Sequence, residues 1–308
     1  MEEQKQFPTT DELRRILGQM GLHSVADDAI SAFRSEEDGC PYAVWRIDAD
    51  GATYVLKRAK GYEAETYRVF FREKKPYAPA LFGSCESDGD TYLLLEYCPG
   101  RDLRICETEA LKKALDALIE AQDEYWERAD LYGAAVTLDR ALEGIRNRGK
   151  YLGSALLEQA YAQFIACYRT TPRTLCHDDL LPINVLIGER AVLIDWEYGG
   201  VLPYLSSFAR LIAHGREDKD AYFYMTRADR SFAIEYYYEN LVRRHGIPYG
   251  EYRHALDLFL FYEYCEWIML GIRYNGRDDE RFGYYLQLAE ELAPKLIEHG
   301  NPSGEVRI

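Results

Sequence analysis

The sequence predicts an α+β chain of two lobes, a small antiparallel sheet followed by a larger, mostly helical part. Three observations predict it. Short runs rich in β-branched and aromatic residues fall before residue 100. From Thr108 onward, apolar residues recur instead at helical spacing. Within that helical part, residues 176–198 break the pattern with two apolar runs around a polar loop. The division falls near Gly100, giving a first lobe over 1–100 and a second over 101–308.

In chain order, Thr9-Thr10-Asp11-Glu12 before Leu13, Ile16, Leu17 and Met20 forms a capping box that opens an amphipathic helix. Ala29 to Arg34, Tyr42 to Asp48, Thr53 to Lys57 and Thr91 to Glu96 read as strands, with Asp48-Ala49-Asp50-Gly51 as a hairpin turn. A helix from about Tyr62 to Arg72 places Glu63, Tyr67 and Phe70 on one buried face. Glu63 can therefore meet Lys57 at the end of its strand, with Glu65 as the second candidate. The strand Tyr92 to Glu96 runs into Tyr97-Cys98-Pro99-Gly100, a turn at the lobe boundary.

In the second lobe, Leu111, Leu115, Leu118 and Ile119 share a helix face, and Leu156 to Tyr168 forms another amphipathic run. Val185-Leu186-Ile187 and Val192-Leu193-Ile194 then flank Gly188-Glu189-Arg190-Ala191 and read as a hairpin with a four-residue loop. Symmetric closure pairs Ile187 with Val192, Leu186 with Leu193, Val185 with Ile194 and Asn184 with Asp195. Opposed Cβ atoms lie roughly 4.5–5.5 Å apart, which suits one amide oxygen and one carboxylate to a hard cation such as Mg²⁺. Asp179, five residues before Asn184, adds a second carboxylate. A metal triad His177-Asp178-Asp179 is an alternative, disfavoured because successive side chains point different ways.

The order His177-x-Asp179-x-x-x-x-Asn184, then Asp195-Trp196-Glu197 after an apolar strand, with Pro182 inside the loop, resembles the aminoglycoside phosphotransferase and choline kinase group of the protein-kinase-like fold. The resemblance covers about residues 25 to 290 and implies transfer of a nucleotide γ-phosphoryl group to a small-molecule hydroxyl. By that template Asp179 accepts the hydroxyl proton, Asn184 and Asp195 hold Mg²⁺, and Lys57, placed by Glu63, clamps the phosphates. The backbone of Glu96, Tyr97 and Cys98 becomes the purine hinge, although an ordinary central strand explains those residues equally well. His177 becomes a structural brace of the loop.

Three departures accompany the likeness. Residues 36–42 hold one glycine in place of a glycine-rich phosphate loop, Asp178 stands where relatives often have glycine, and Ser207 replaces an Asp that braces the catalytic loop. A nucleotide-binding scaffold without turnover is the alternative that the poor glycine loop and Ser207 favour.

For the acceptor, Glu263, Glu266 and Trp267 lie at i, i+3 and i+4 and form an acidic-aromatic face suited to an ammonium group. Glu235 and Glu239 read as solvated acids beside core tyrosines. The donor reads as ATP or GTP, and the acceptor as an aminoglycoside, choline or amino-alcohol type of molecule. A net charge of −15, from 37 basic and 52 acidic residues, argues against a nucleic-acid backbone or an anionic membrane as partner. Seven scattered cysteines without a Cys-x-x-Cys pair, and a start at Met1 to Lys5 without an apolar signal segment, fit a reducing cytoplasm.

Overall fold

The computed structural model describes residues 7–36 and 39–300. Two sequence readings, the leader-free start at 1–5 and the centre of the 36–42 loop, lie outside the described residues. The capping box is formed: in α1 (Thr10–Gln19) the Thr9 hydroxyl accepts from the Glu12 amide, and Glu12 accepts from the Thr9 amide at 2.6 Å. Strands β1 (Ile30–Arg34), β2 (Pro41–Ala49) and β3 (Ala52–Arg58) follow. Ala49 pairs with Ala52 around Asp50-Gly51, both at positive φ, as a two-residue type I′ hairpin demands.

Then come α2 (Glu63–Phe70), β4 (Leu81–Ser87) and β5 (Asp90–Glu96). The sheet is antiparallel throughout, in the order β1-β2-β3-β5-β4. Alternation along its strands sorts the side chains into two layers. Leu56, Tyr92 and Leu94 pack with Leu13, Ile16 and Leu17 of α1. Leu93 and Leu95 join Tyr67 and Phe70 of α2 on the opposite face, in a core that continues into the helical lobe.

A short β6 (Arg101–Asp102) leads to α3 (Thr108–Glu124), α4 (Leu138–Gly149), α5 (Ala155–Thr170) and β7 (Arg173–Cys176). Next are β8 (Val185–Ile187), β9 (Ala191–Leu193), β10 (Gly200–Pro203), α6 (Leu205–Ala213), α7 (Arg227–Asn240), α8 (Tyr249–Leu270) and α9 (Glu280–Gly300). Helix α8 buries Leu256, Phe259, Phe261 and Ile268 and sits at the centre of its lobe. Among the described residues no helix is long and apolar enough to cross a membrane.

The β8–β9 hairpin is formed, but its register corrects the sequence reading. Ile187 pairs with Ala191, Leu186 with Val192 and Val185 with Leu193, so the loop has three residues rather than four. Ala191 is buried in the core and belongs to the strand, while the Gly188 amide donates to the Arg190 carbonyl and closes the shorter loop. A slip of one residue exchanges faces. Asn184 therefore meets Ile194, whose amide donates to the Asn184 carbonyl at 2.9 Å. Asp195 lies one step beyond, outside the strand and at φ +68°, so it does not face Asn184 across the ladder.

Candidate active site

Lys57 pairs with Leu93 across β3 and β5 and so stands on the sheet face that looks toward α2. From there its Nζ donates to Glu63 Oε1 at 2.7 Å and to Asp195 Oδ1 at 2.6 Å. Burial pulls the ammonium pKa down, but the two carboxylates more than reverse this and hold it above the ordinary value. Glu63 is fully buried; desolvation pushes its carboxyl up to about 7, against the pull of Lys57. Asp195 ends lower than usual, because Lys57 outweighs the upward push of burial. Ammonium groups carry three N–H donors, so two carboxylates leave one for a further acceptor.

The segment carrying Asp195 is fastened to α2. The Tyr62 amide donates to the Glu197 carbonyl at 2.9 Å, and Thr66 reaches the Gly199 carbonyl. Gly61, at φ +50°, lies so close that a Cβ there would sit 2.6 Å from the Glu197 oxygen. Only glycine fits that contact without strain.

Between β7 and β8, His177 is buried and held neutral by desolvation, its Nε2 donating to the Ile194 carbonyl at 2.6 Å. The ring thus braces the residue before Asp195, as expected. Ser207 of α6 accepts from the His177 amide at 2.8 Å and the Asp178 amide at 3.5 Å, so a hydroxyl performs the bracing expected of an acid. Asn184 donates its Nδ2 to the Asp179 carbonyl at 2.8 Å, which leaves its Oδ1 without a hydrogen bond among the described residues.

Asp179 is held from the side. Arg210 Nε and Nη2 both donate to Asp179 Oδ1, at 3.1 and 2.8 Å, and Nη1 donates to Glu263 Oε2 at 2.8 Å. Glu263 also accepts from His214, whose other ring nitrogen meets the Tyr285 hydroxyl at 3.1 Å. Asp179 Oδ2 is left without a hydrogen bond among the described residues. This partly buried string, Asp179–Arg210–Glu263–His214–Tyr285, ties the loop between β7 and β8 to α8 and α9. Sequence reading missed Arg210, although its i, i+3 relation to Ser207 places both on one helix face.

The remaining expected residues separate. Glu96 uses its amide on the Ala80 carbonyl and its carboxylate on Lys74 and the Ala80 amide, so its side chain fixes a neighbouring turn. The Cys98 amide, beyond the last strand pair, makes no hydrogen bond among the described residues, and Tyr97 lies under the Arg46 guanidinium. A cavity of about 460 Å³ opens beside the loop between β7 and β8, lined by Tyr62, Arg148, Asp178, Tyr198, Tyr262 and Glu263 among others. Glu263 thus borders it but is already matched by Arg210. Glu266 pairs with Arg148 at 3.4 Å, and Trp267 stacks on Tyr285 at 5.5 Å with Arg281 over its ring. Neither Glu266 nor Trp267 lines the cavity.

Over 124 residues, 40% of this chain, two LicA proteins of Haemophilus influenzae are each 30% identical, and the match covers 43% and 34% of their lengths. The chain therefore matches less than half of these curated relatives. A Ralstonia eutropha protein assigned as an aminoglycoside phosphotransferase superposes with a TM-score of 0.59 at 13% identity, covering 95% of this chain and 98% of that one. A Haemophilus somnus protein assigned as a fructosamine-3-kinase gives 0.51 at 11% identity, over 92% and 96%. These two show the two-lobed kinase-like fold. The family model for the phosphotransferase enzyme family matches residues 41–241, more than half the chain, and the protein belongs to that family.

Proposed function

We propose that this chain transfers the γ-phosphoryl group of ATP or GTP to a hydroxyl of a small, amine-bearing acceptor. The observation that carries the reading is Lys57 held between Glu63 and Asp195, on elements that converge from both lobes on the loop bearing Asp179. Residues 1–100 serve as the nucleotide lobe, with the backbone at 96–98 as purine hinge. Residues 101–308 supply the catalytic loop and the acceptor pocket. Cys85, Cys98, Cys106, Cys167, Cys176 and Cys265 are free thiols, which supports a reducing cytoplasm as its setting.

Asn184 Oδ1 and the Asp195 carboxylate fit a hard divalent cation: both are oxygen donors, and Asn184 has its amide nitrogen turned to the Asp179 carbonyl. Bound there, Mg²⁺ would neutralise phosphate charge. Lys57 contributes its remaining donor to a phosphate oxygen, with Glu63 fixing its reach. Asp179 Oδ2 faces the acceptor hydroxyl and takes its proton as the bond to phosphorus forms, while Arg210 keeps Oδ1 out of that exchange. Positioning and charge neutralisation supply most of the rate in such transfers.

A scaffold without turnover is the competing reading, and Ser207 was one reason for it. Ser207 makes the bracing bonds that reading assumed lost, which weakens it. Asp195→Ala is expected to abolish ADP release across an acceptor panel and to weaken Mg²⁺-nucleotide binding; unchanged turnover removes the metal assignment. Asp179→Asn is expected to suppress turnover while sparing nucleotide binding, and full activity in that variant removes the base assignment.

A further inference from the structure

Three unfavourable features coincide at Asp178. Its backbone holds φ +60°, a left-handed conformation that glycine adopts freely and aspartate does not. Its carboxylate is desolvated, so burial lifts it to about 7 against the pull of Arg148. It borders the 460 Å³ cavity and accepts no hydrogen bond among the described residues. The other charged groups of that wall are matched: Arg140 with Glu143 at 3.1 Å, Arg148 with Glu266 and the Tyr262 hydroxyl, and Glu263 with Arg210 and His214. Backbone strain and an unpartnered, half-buried carboxylate on a cavity wall mark a position kept for a ligand.

A second observation is independent of that acid. Tyr168 and Ser206 line the same cavity at 2% and 6% exposure; their hydroxyls lie near each other and neither completes a hydrogen bond among the described residues. Buried polar atoms are nearly always paired, so two orphans beside an unmatched carboxylate describe a receptor for a group with several donors. An ammonium that still carries N–H bonds supplies them: one to the carboxylate, others to the two hydroxyl oxygens. Tyr62 and Tyr198 add aromatic rings to the same wall, which suits a positive charge. A quaternary ammonium has no N–H and would leave both hydroxyls unpaired beneath its methyl groups.

We propose that Asp178 anchors the acceptor's ammonium group, and that Tyr168 and Ser206 select a primary or secondary amine over a fully methylated one. The proposal rests on the reading of Asp179 as the residue facing the acceptor hydroxyl. Asp178 borders the cavity together with Glu263, which shares the Arg210 guanidinium with Asp179.

Calorimetric titration of the full chain, saturated with Mg²⁺ and a non-hydrolysable ATP analogue, tests this. The probes are amino alcohols of two to four carbons, each in its primary, N-methyl, N,N-dimethyl and N,N,N-trimethyl forms. The N–H-bearing forms are expected to bind, with the trimethyl form weaker by about tenfold or more. Asp178→Asn and Asp178→Gly are each expected to weaken the primary amine about 10- to 100-fold. The glycine variant relieves the left-handed strain and should melt no lower than the parent, so lost binding there is not lost folding. A trimethyl form that binds as tightly as the primary amine, variants that bind like the parent, or a series in which no amine binds overturns the proposal. An amine that binds but is never phosphorylated overturns the phosphotransfer reading and leaves the anchor standing. Phosphorylation of a neutral polyol without any amine affinity does the reverse.

Discussion

Replacing Arg210 by methionine keeps an unbranched stem but deletes the guanidinium that touches both Asp179 and Glu263. At the 2.8 Å contact with Glu263, the Coulombic attraction is about 6 kcal/mol at an effective dielectric near 20, before desolvation is subtracted. Glu263 is 5% exposed at its side chain and cannot recover solvent, whereas Asp179, at 27%, regains part of it. Removing one partner of such a buried pair costs about 3–5 kcal/mol. Urea unfolding should show a loss of this size at pH 8.

The pH dependence has a definite sign. Burial pushes the Glu263 carboxyl up, but Arg210 and then His214 bring it below its ordinary value, so its stabilising contribution holds above that value and fades as pH falls. Without Arg210 the burial effect dominates and the folded-state pKa rises, so the deficit should be largest at pH 8 and shrink toward pH 5. Adding Glu263→Gln to the variant should recover about 1–2 kcal/mol, because the stranded charge is gone. A deficit under about 1 kcal/mol at pH 8, or one that does not change with pH, refutes the assignment of Arg210 as their shared counter-ion.

Further perturbations probe the same neighbourhood. Gly61→Ala forces a Cβ onto the Glu197 carbonyl at positive φ and should destabilise by about 1–3 kcal/mol in thermal unfolding; a neutral result denies the close approach. Ser207→Ala strands the buried His177 amide and should lose about 1–3 kcal/mol in urea unfolding, whereas Ser207→Thr, which keeps a hydroxyl, should lose less. Glu63 has its carboxyl raised to about 7, so the parent loses stability as pH climbs from about 4.5 through 7. Glu63→Gln should remove that decline, worth on the order of 2–3 kcal/mol, while lowering turnover; parallel pH profiles for the two proteins would count against it.

The placement of Lys57 opposite Glu63 was legible because two periodicities, the strand's alternation and the helix's i, i+4, i+7 spacing, each settle which way a side chain faces. The capping box at Thr9 was legible because its partners are three residues apart. Strand β4 was not foreseen: Leu81–Ser87 mixes Gly83 and Ser84 with polar residues, as an edge strand does, although Asp88-Gly89 at positive φ is the same turn signal that announced β2–β3. The β8–β9 register could not be read from apolar runs alone. Ala191 is as credible in a loop as in a strand, and its burial is decided by contacts with residues far away in the chain. For the same reason Glu263 and Glu266 looked available on a helix face. Their partners Arg210 and Arg148 arrive from α6 and α4, and no local pattern announces them. Asp178 was visible as an odd residue in a familiar motif, but its strained backbone and the hydroxyls near it belong to the fold.

Helix α2 is stapled at several points: the Tyr62 amide on Glu197, Thr66 on Gly199, and Tyr67 and Phe70 in the core of the other lobe. Swinging it outward would break all of these together. The ammonium-carboxylate contact that α2 supports is thus tied to the rest of the molecule through every one of these anchors.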